Sequence, residues 1–367
     1  MSRLLARLDH ELAGCRDPLR RAELAAERAC HLARVGDIAG AQNVAAQLRR
    51  DHGDGRASRI AVRIMLLEGL ILFFDNMDPA AADRILRAHT VAMAWRHDDL
   101  IRLTASWLAH MHFVLGDFGA MVQALGACFD RPGACIEASS RVCVVVGTAH
   151  QFAGDAQAAR PWYERARREA ITLGDDATIG ALVFNRPAMS LVTLRLDALY
   201  GRLDADELRM AAIGVESAWA YCLGAHQYSL MQLMRVCRAR IAMLSGESER
   251  AVVLFDELLQ PQDTRFGFHA DRLVPEIERA ACLAAAGRVH DARIAFEALD
   301  PSLYVQLAVE DRLLFLLQYA ALSQALGRPE QGAEWAGALA EVRGRYDSEI
   351  DRLKTALAGL SLSRLAA

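Results

Sequence analysis

The sequence predicts an all-α chain, an α-α superhelix (a solenoid) of about eight helix pairs with a C-terminal capping helix. Three observations predict it. A small turn recurs at Gly36, Asn76, Gly116, Gly154, Gly201, Gly246, Gly287 and Gly327, the shortest interval running from 116 to 154 and the longest from 154 to 201. Each turn separates an apolar stretch from an Ala-rich amphipathic one, and the apolar fraction of the 367 residues is 53%. Strand signals are nearly absent: Cys143–Val146 is β-branched but embedded in a helical period. Periods of this length mark stacked two-helix units, each of which buries its apolar face only against its neighbours.

Residues 1–14 read as a short helix, and Asp17-Pro18 as a turn and a new helix start. The first pair follows over 18–34 and 38–50, with Asp51–Gly55 as a loop. The second covers 56–74 and 79–96, where Pro79 sits at a first-turn position that needs no N–H. The third covers 98–115 and 118–128, and Arg131-Pro132-Gly133 breaks the chain before the fourth, over 134–152 and 156–173. The fifth is stretched, over 178–199 and 204–222, and Pro187 inside it marks an offset or a kink. The sixth spans 225–244 and 248–259, and residues 261–267 read as a loop. The seventh spans 270–285 and 289–299, and the eighth 303–326 and 329–343. A last helix over 346–357 covers the exposed end, as a terminal repeat must. The chain therefore reads as one domain: an N-terminal helix over 1–17, repeats over 18–343, and a cap and tail over 344–367.

Composition narrows the function classes. Net charge is −4, from 42 basic and 46 acidic residues, which gives no basic field for a nucleic acid. Eight cysteines without a C-x-x-C pair, set among Ala, Leu and Val, read as small core residues in a reducing compartment. Arg3, Arg7, Asp9 and Glu11 interrupt any signal-peptide segment, and Arg63 and Glu68 interrupt the most apolar stretch, 60–74. The expectation is a soluble, cytoplasmic protein that makes no membrane contact. Phosphate-loop, dinucleotide, zinc-protease and nucleophile-elbow motifs are all missing. His110 and His112 are two apart on a helix and do not share a face, which counts against a metal site. No enzyme activity, cofactor or metal is expected.

Two stretches carry a family resemblance: Ala149-His150-Gln151-Phe152-Ala153-Gly154-Asp155-Ala156-Gln157-Ala158-Ala159 and Cys282-Leu283-Ala284-Ala285-Ala286-Gly287-Arg288-Val289-His290-Asp291-Ala292. A large residue precedes the turn, and a small one follows it by four or five, where the second helix must approach the first. The pattern resembles tetratricopeptide repeats of a long, bacterial type, over roughly residues 18–343. The second turn, which lacks glycine, and the stretched fifth repeat depart from it. The resemblance implies a right-handed superhelix whose first helices line a concave groove for a peptide or protein partner. It also implies a regulatory role in bacterial signalling, although no cyclase or helix-turn-helix signature follows the last helix.

Six residues before the turn glycine, repeats three to six carry His110, Thr148, Arg195 and Arg240. In the tetratricopeptide pattern that position faces the groove, so these four form a candidate polar ladder. Asn185, Arg186, Gln227 and Tyr228, near the starts of first helices, extend it. Arginines there suit a carboxylate or phosphate. The expected function is a non-enzymatic scaffold or regulatory protein that binds a protein or peptide in its groove, with homodimerisation open. The alternative is a receptor for a small molecule or signal peptide that regulates transcription or cyclic-nucleotide signalling. If the ladder binds the partner, reversing the charges of Arg195 and Arg240 weakens binding and leaves the melting temperature nearly unchanged.

Overall fold

The recurring turn builds the fold by two local devices. A glycine in the left-handed region closes one helix, and at three turns the next residue, an aspartate, caps the following one. Gly36, Gly116, Gly154, Gly201, Gly246, Gly287 and Gly327 all have positive φ. At Gly36 the N–H donates back to the carbonyls of Leu32 and Ala33, which would otherwise lack donors. Asp37, Asp117 and Asp155 then accept from the backbone N–H three residues on, at 2.9, 3.0 and 2.9 Å. The second turn, without glycine, places Met77 in the left-handed region instead, with φ 53°.

A computed structural model describes residues 2–53, 58–129, 135–260 and 269–366. It is all-α, and no strand occurs among the described residues. Helix α1 (Arg3–Gly14) precedes the pairs α2 (Pro18–Val35) and α3 (Ile38–His52), and α4 (Ser58–Asn76) and α5 (Ala80–Ala94). Next come α6 (Asp98–Val114) and α7 (Phe118–Phe129), then α8 (Ile136–Phe152) and α9 (Ala156–Leu173). They are followed by α10 (Asp176–Leu199) and α11 (Ala205–Gly224), α12 (Met231–Leu244) and α13 (Ser248–Leu258), and α14 (His269–Ala285) and α15 (Val289–Glu297). The last elements are α16 (Val309–Ala325), α17 (Pro329–Ala333) and α18 (Ala336–Ala358). Residues 143–146 lie inside α8.

Three segments differ from the sequence reading. Residues 225–230 are not the start of a helix: His226 has φ 54°, and the Tyr228 N–H donates to the Val35 carbonyl at 2.8 Å. Residues 301–306 form a separate 3-10 helix capped by Asp300, which delays α16 to Val309. The second helix of the last pair shrinks to α17, and the capping helix starts earlier and runs unbroken through Gly344 as α18. Residues 54–55 of the first expected loop, the expected break at 131–133 and the whole expected loop at 261–267 lie outside the described residues.

The chain divides into two compact units. Unit 1 comprises Met1–Val183, Ala220–Met231 and Leu353–Ala367, and unit 2 comprises Phe184–Trp219 and Gln232–Arg352. The division falls inside α10, where Pro187 has no N–H for the Val183 carbonyl.

In unit 1, Leu67, Leu70, Ile85, Ile101 and Trp107 are buried in one apolar cluster. The row of first helices α2, α4, α6 and α8 returns on itself. Arg34, near the end of α2, donates to Asp175 and Thr178, at the start of α10. The segment at 227–229 seals this seam: the Ser229 hydroxyl donates to the Arg34 carbonyl, and a Cβ on Gly36 would lie 2.7 Å from the Ser229 nitrogen. Unit 2 has its own core, with Phe255, Ile277, Phe315 and Leu313 buried among others.

Among the described helices, α10 alone has the length and apolarity to cross a bilayer. It also carries Asp176, Arg186, Arg195 and Asp197, and buried Leu191, Leu194 and Leu196, a composition that suits the core helix of a packed array.

Candidate binding sites

In unit 2 the first helices α10, α12, α14 and α16 each contribute one charged residue to an ion-pair network with a buried centre. Arg195 reaches Glu278 from α10 with Nη2 at 2.6 Å, and Arg240 reaches the other carboxylate oxygen from α12 with Nε at 3.1 Å. Asp311, on α16, lies 3.8 Å from Nη1 of Arg195. The Arg195 and Glu278 side chains are each 3% exposed. Burial, then the neighbouring Arg240, pulls the Arg195 guanidinium below its ordinary value, and Glu278 and Asp311 oppose this. Each arginine is thus committed to a carboxylate of the protein itself.

Beside this network is an open-sided cavity of about 310 Å³. Met243, Val274, Ile277, Ala281 and Leu314 supply apolar wall, and Arg195 and Glu278 supply the polar part. That volume is at the small end of ligand pockets and admits one large side chain or a compact molecule. One first turn nearby is also perturbed: burial, then Asp311, pushes the Glu310 carboxyl up to about 7.

Unit 1 holds a second charged cluster, on α2, α4, α6, α8 and the start of α10. Asp175 accepts from Arg34 at 2.9 Å and from the Thr178 hydroxyl at 2.8 Å. Burial opposes its ionisation, yet Arg34, His31 and Thr178 hold the carboxyl well below the usual range. His31 stands 3.6 Å from Asp175, and burial and Arg34 lower it to about 4, so it is neutral near pH 7. Arg63, Arg102 and Arg141 are 8%, 4% and 6% exposed. Arg63 has Glu27 at 3.9 Å, and its buried Nε has no hydrogen-bond partner. The Arg141 guanidinium lies over the Trp107 ring, 3.9 Å from its centroid. Burial, then Glu27, holds the half-buried Glu137 carboxyl above the usual range, and Arg63 and Arg34 act against this.

The eight residues of the candidate ladder fall in both units. His110 packs edge-on against Phe73 and Trp107 in unit 1, and burial and Arg141 lower it to about 3. Thr148 is buried and donates to the Val144 carbonyl, the ordinary helical back-bond. Gln227 is buried and donates to the Asp176 carbonyl, whereas Tyr228 is exposed beside His226. In unit 2, Asn185 is half-buried and Arg186 exposed. Of the eight, Arg195 and Arg240 are brought together on one partner, Glu278. Arg195 is buried, Arg240 half-buried, and both are ion-paired, so they do not stand as open clamps.

Counting six residues back from the turn misses the arginines of unit 1. Positions 63, 102 and 141 are evenly spaced, in step with the repeat but well upstream of each turn, and that spacing was the available signal.

No group of three His, Cys, Asp or Glu side chains suited to a metal occurs among the described residues. Burial pushes the Cys30 and Cys128 thiols up to about 12 and raises that of Cys143, the opposite of what a nucleophilic thiolate needs. No protein-family model matches the chain, and comparison with curated proteins gives no significant match.

Proposed function

We propose that the chain is a non-enzymatic binding protein, of a tetratricopeptide-like kind, that receives an apolar side chain of an extended peptide or protein segment in unit 2. The observation that carries this reading is the open-sided cavity of about 310 Å³ between first helices, apolar over most of its wall with a fixed charged edge. The Arg195–Glu278–Arg240 network holds α10, α12 and α14 in register around it, so little reordering opposes binding. A cytoplasmic location accords with the buried, free cysteines.

A library of immobilised peptides tests the reading. Wild-type protein retains a subset with a bulky apolar residue at one position, and Ala281→Trp, which fills the cavity from its wall, loses that subset while melting at a similar temperature. Equal retention by both proteins removes unit 2 as the binding surface. The receptor reading draws its support from a different place, unit 1, where the buried Arg141 makes no hydrogen bond or ion pair with any described residue.

A further inference from the structure

Arg141 is the unusual charge in unit 1. It is 6% exposed, yet no residue among those described gives it a hydrogen bond or an ion pair. Its one close electrostatic contact is the face of Trp107, at 3.9 Å; Asp175 and Glu137 act on it only through space. Cation–π attraction offsets only part of the cost of burying a guanidinium, which is ordinarily matched by a carboxylate with paired hydrogen bonds. Two neighbouring arginines have carboxylates of their own. Arg34 gives its Nη2 to Asp175 and Thr178, and Arg63 faces Glu27. Arg141 has no carboxylate within ion-pair distance among the described residues.

The surroundings of Trp107 complete the picture. The Arg34 guanidinium lies 5.7 Å from the same ring, and the His110 ring packs edge-on at 5.8 Å. The His110 ring, like the Arg141 guanidinium, makes no hydrogen bond to any described residue, and His110 is only half-buried. Two donors without acceptors therefore flank one aromatic platform, inside the row of first helices closed by Arg34 and Asp175. A phosphate or carboxylate is the group that satisfies both: a guanidinium fork takes two of its oxygens, and an imidazole N–H takes one.

We propose that the interior of unit 1 is a binding site for a small anionic molecule, whose carboxylate or phosphate is held by Arg141 on Trp107 with a hydrogen bond from His110. The site is separate from the unit 2 cavity, and it stands or falls independently of the peptide reading.

The test is thermal unfolding of the full chain in sodium acetate and in sodium phosphate, each titrated against sodium chloride at equal ionic strength. Wild type is compared with Arg141→Met and Arg141→Lys. At ten times the dissociation constant, the specific anion raises the wild-type Tm by about 2 °C over the chloride control. Arg141→Met shows no such excess and melts no lower than wild type in chloride, because it removes an unpaired buried cation. Arg141→Lys keeps the charge without the fork and binds at least about tenfold more weakly. A response to acetate alone assigns a carboxylate ligand, and one to phosphate alone a phosphate. An equal rise in all three proteins, the general effect of excluded salts, overturns the proposal, as does no excess in wild type. Arg141→Lys keeps the comparison open if Arg141→Met does not fold.

Discussion

At the scale of single residues, charge burial decides what each side chain is for. Arg195 and Arg240 were legible as polar positions on the inner side of first helices, but their partners were not, because Glu278 and Asp311 sit at other offsets from their own turns. Reversing both charges would set carboxylates against a carboxylate that is 3% exposed, so the expectation of an unchanged melting temperature is withdrawn. Glu278→Ala leaves two arginines facing each other and is expected to cost about 3–5 kcal/mol, read by urea unfolding. A loss below about 1 kcal/mol would mean that the network is solvated.

Acid sensitivity also belongs at this scale. Burial and Arg34 lower His31 to about 4, against 6.5 for the ordinary group. The unfolded chain therefore binds this proton more readily than the folded one. Stability held by the neutral ring is fully present above about pH 6.5 and is lost as pH falls toward 4. His110, lowered to about 3, acts in the same direction. Glu310 has the opposite sign: its folded value of about 7 lies above 4.5, so its proton stabilises the fold at low pH, and that contribution fades as pH rises from about 4.5 to 7. Urea midpoints measured across this range should climb less steeply with pH in His31→Gln and fall less in Glu310→Gln. Unchanged slopes would contradict the burial assigned to these groups.

At the scale of the element, the turns were the most legible feature, because a left-handed glycine ends most first helices and, at Gly36, Gly116 and Gly154, an aspartate caps the next. Asp155→Ala removes the cap on the Ala158 N–H and is expected to cost about 1 kcal/mol. Two glycines separate conformation from contact. Gly154 and Gly36 both have positive φ, but a Cβ at Gly154 meets open space, whereas one at Gly36 meets the Ser229 backbone at 2.7 Å. Substitution by alanine at Gly154 is expected to cost about 1 kcal/mol from backbone strain alone, and at Gly36 clearly more. Equal losses would show that the 227–229 segment does not rest on the α2 turn. The composition of that segment is helical, which is why the sequence reads as helix there. What overrides it is tertiary: the Tyr228 N–H finds the Val35 carbonyl, a partner far away along the chain.

At the scale of the molecule, the helical-repeat class followed from periodicity, since a regular recurrence of turns is visible from local sequence alone. The division into two units depended on packing that no period reports. Pro187 and the stretched fifth interval marked the place, though not its meaning. The binding surfaces were half legible. Position six before the turn led to Arg195 and so to the edge of the unit 2 cavity. The arginines at 63, 102 and 141 lay at another phase and emerged only once burial was known. Affinity capture from native lysate, with wild type and Ala281→Trp side by side and mass-spectrometric readout, puts the unit 2 groove to the test. A protein enriched by wild type and lost with Ala281→Trp is the predicted result. A partner captured equally by both would contradict the assignment of that cavity as the binding surface.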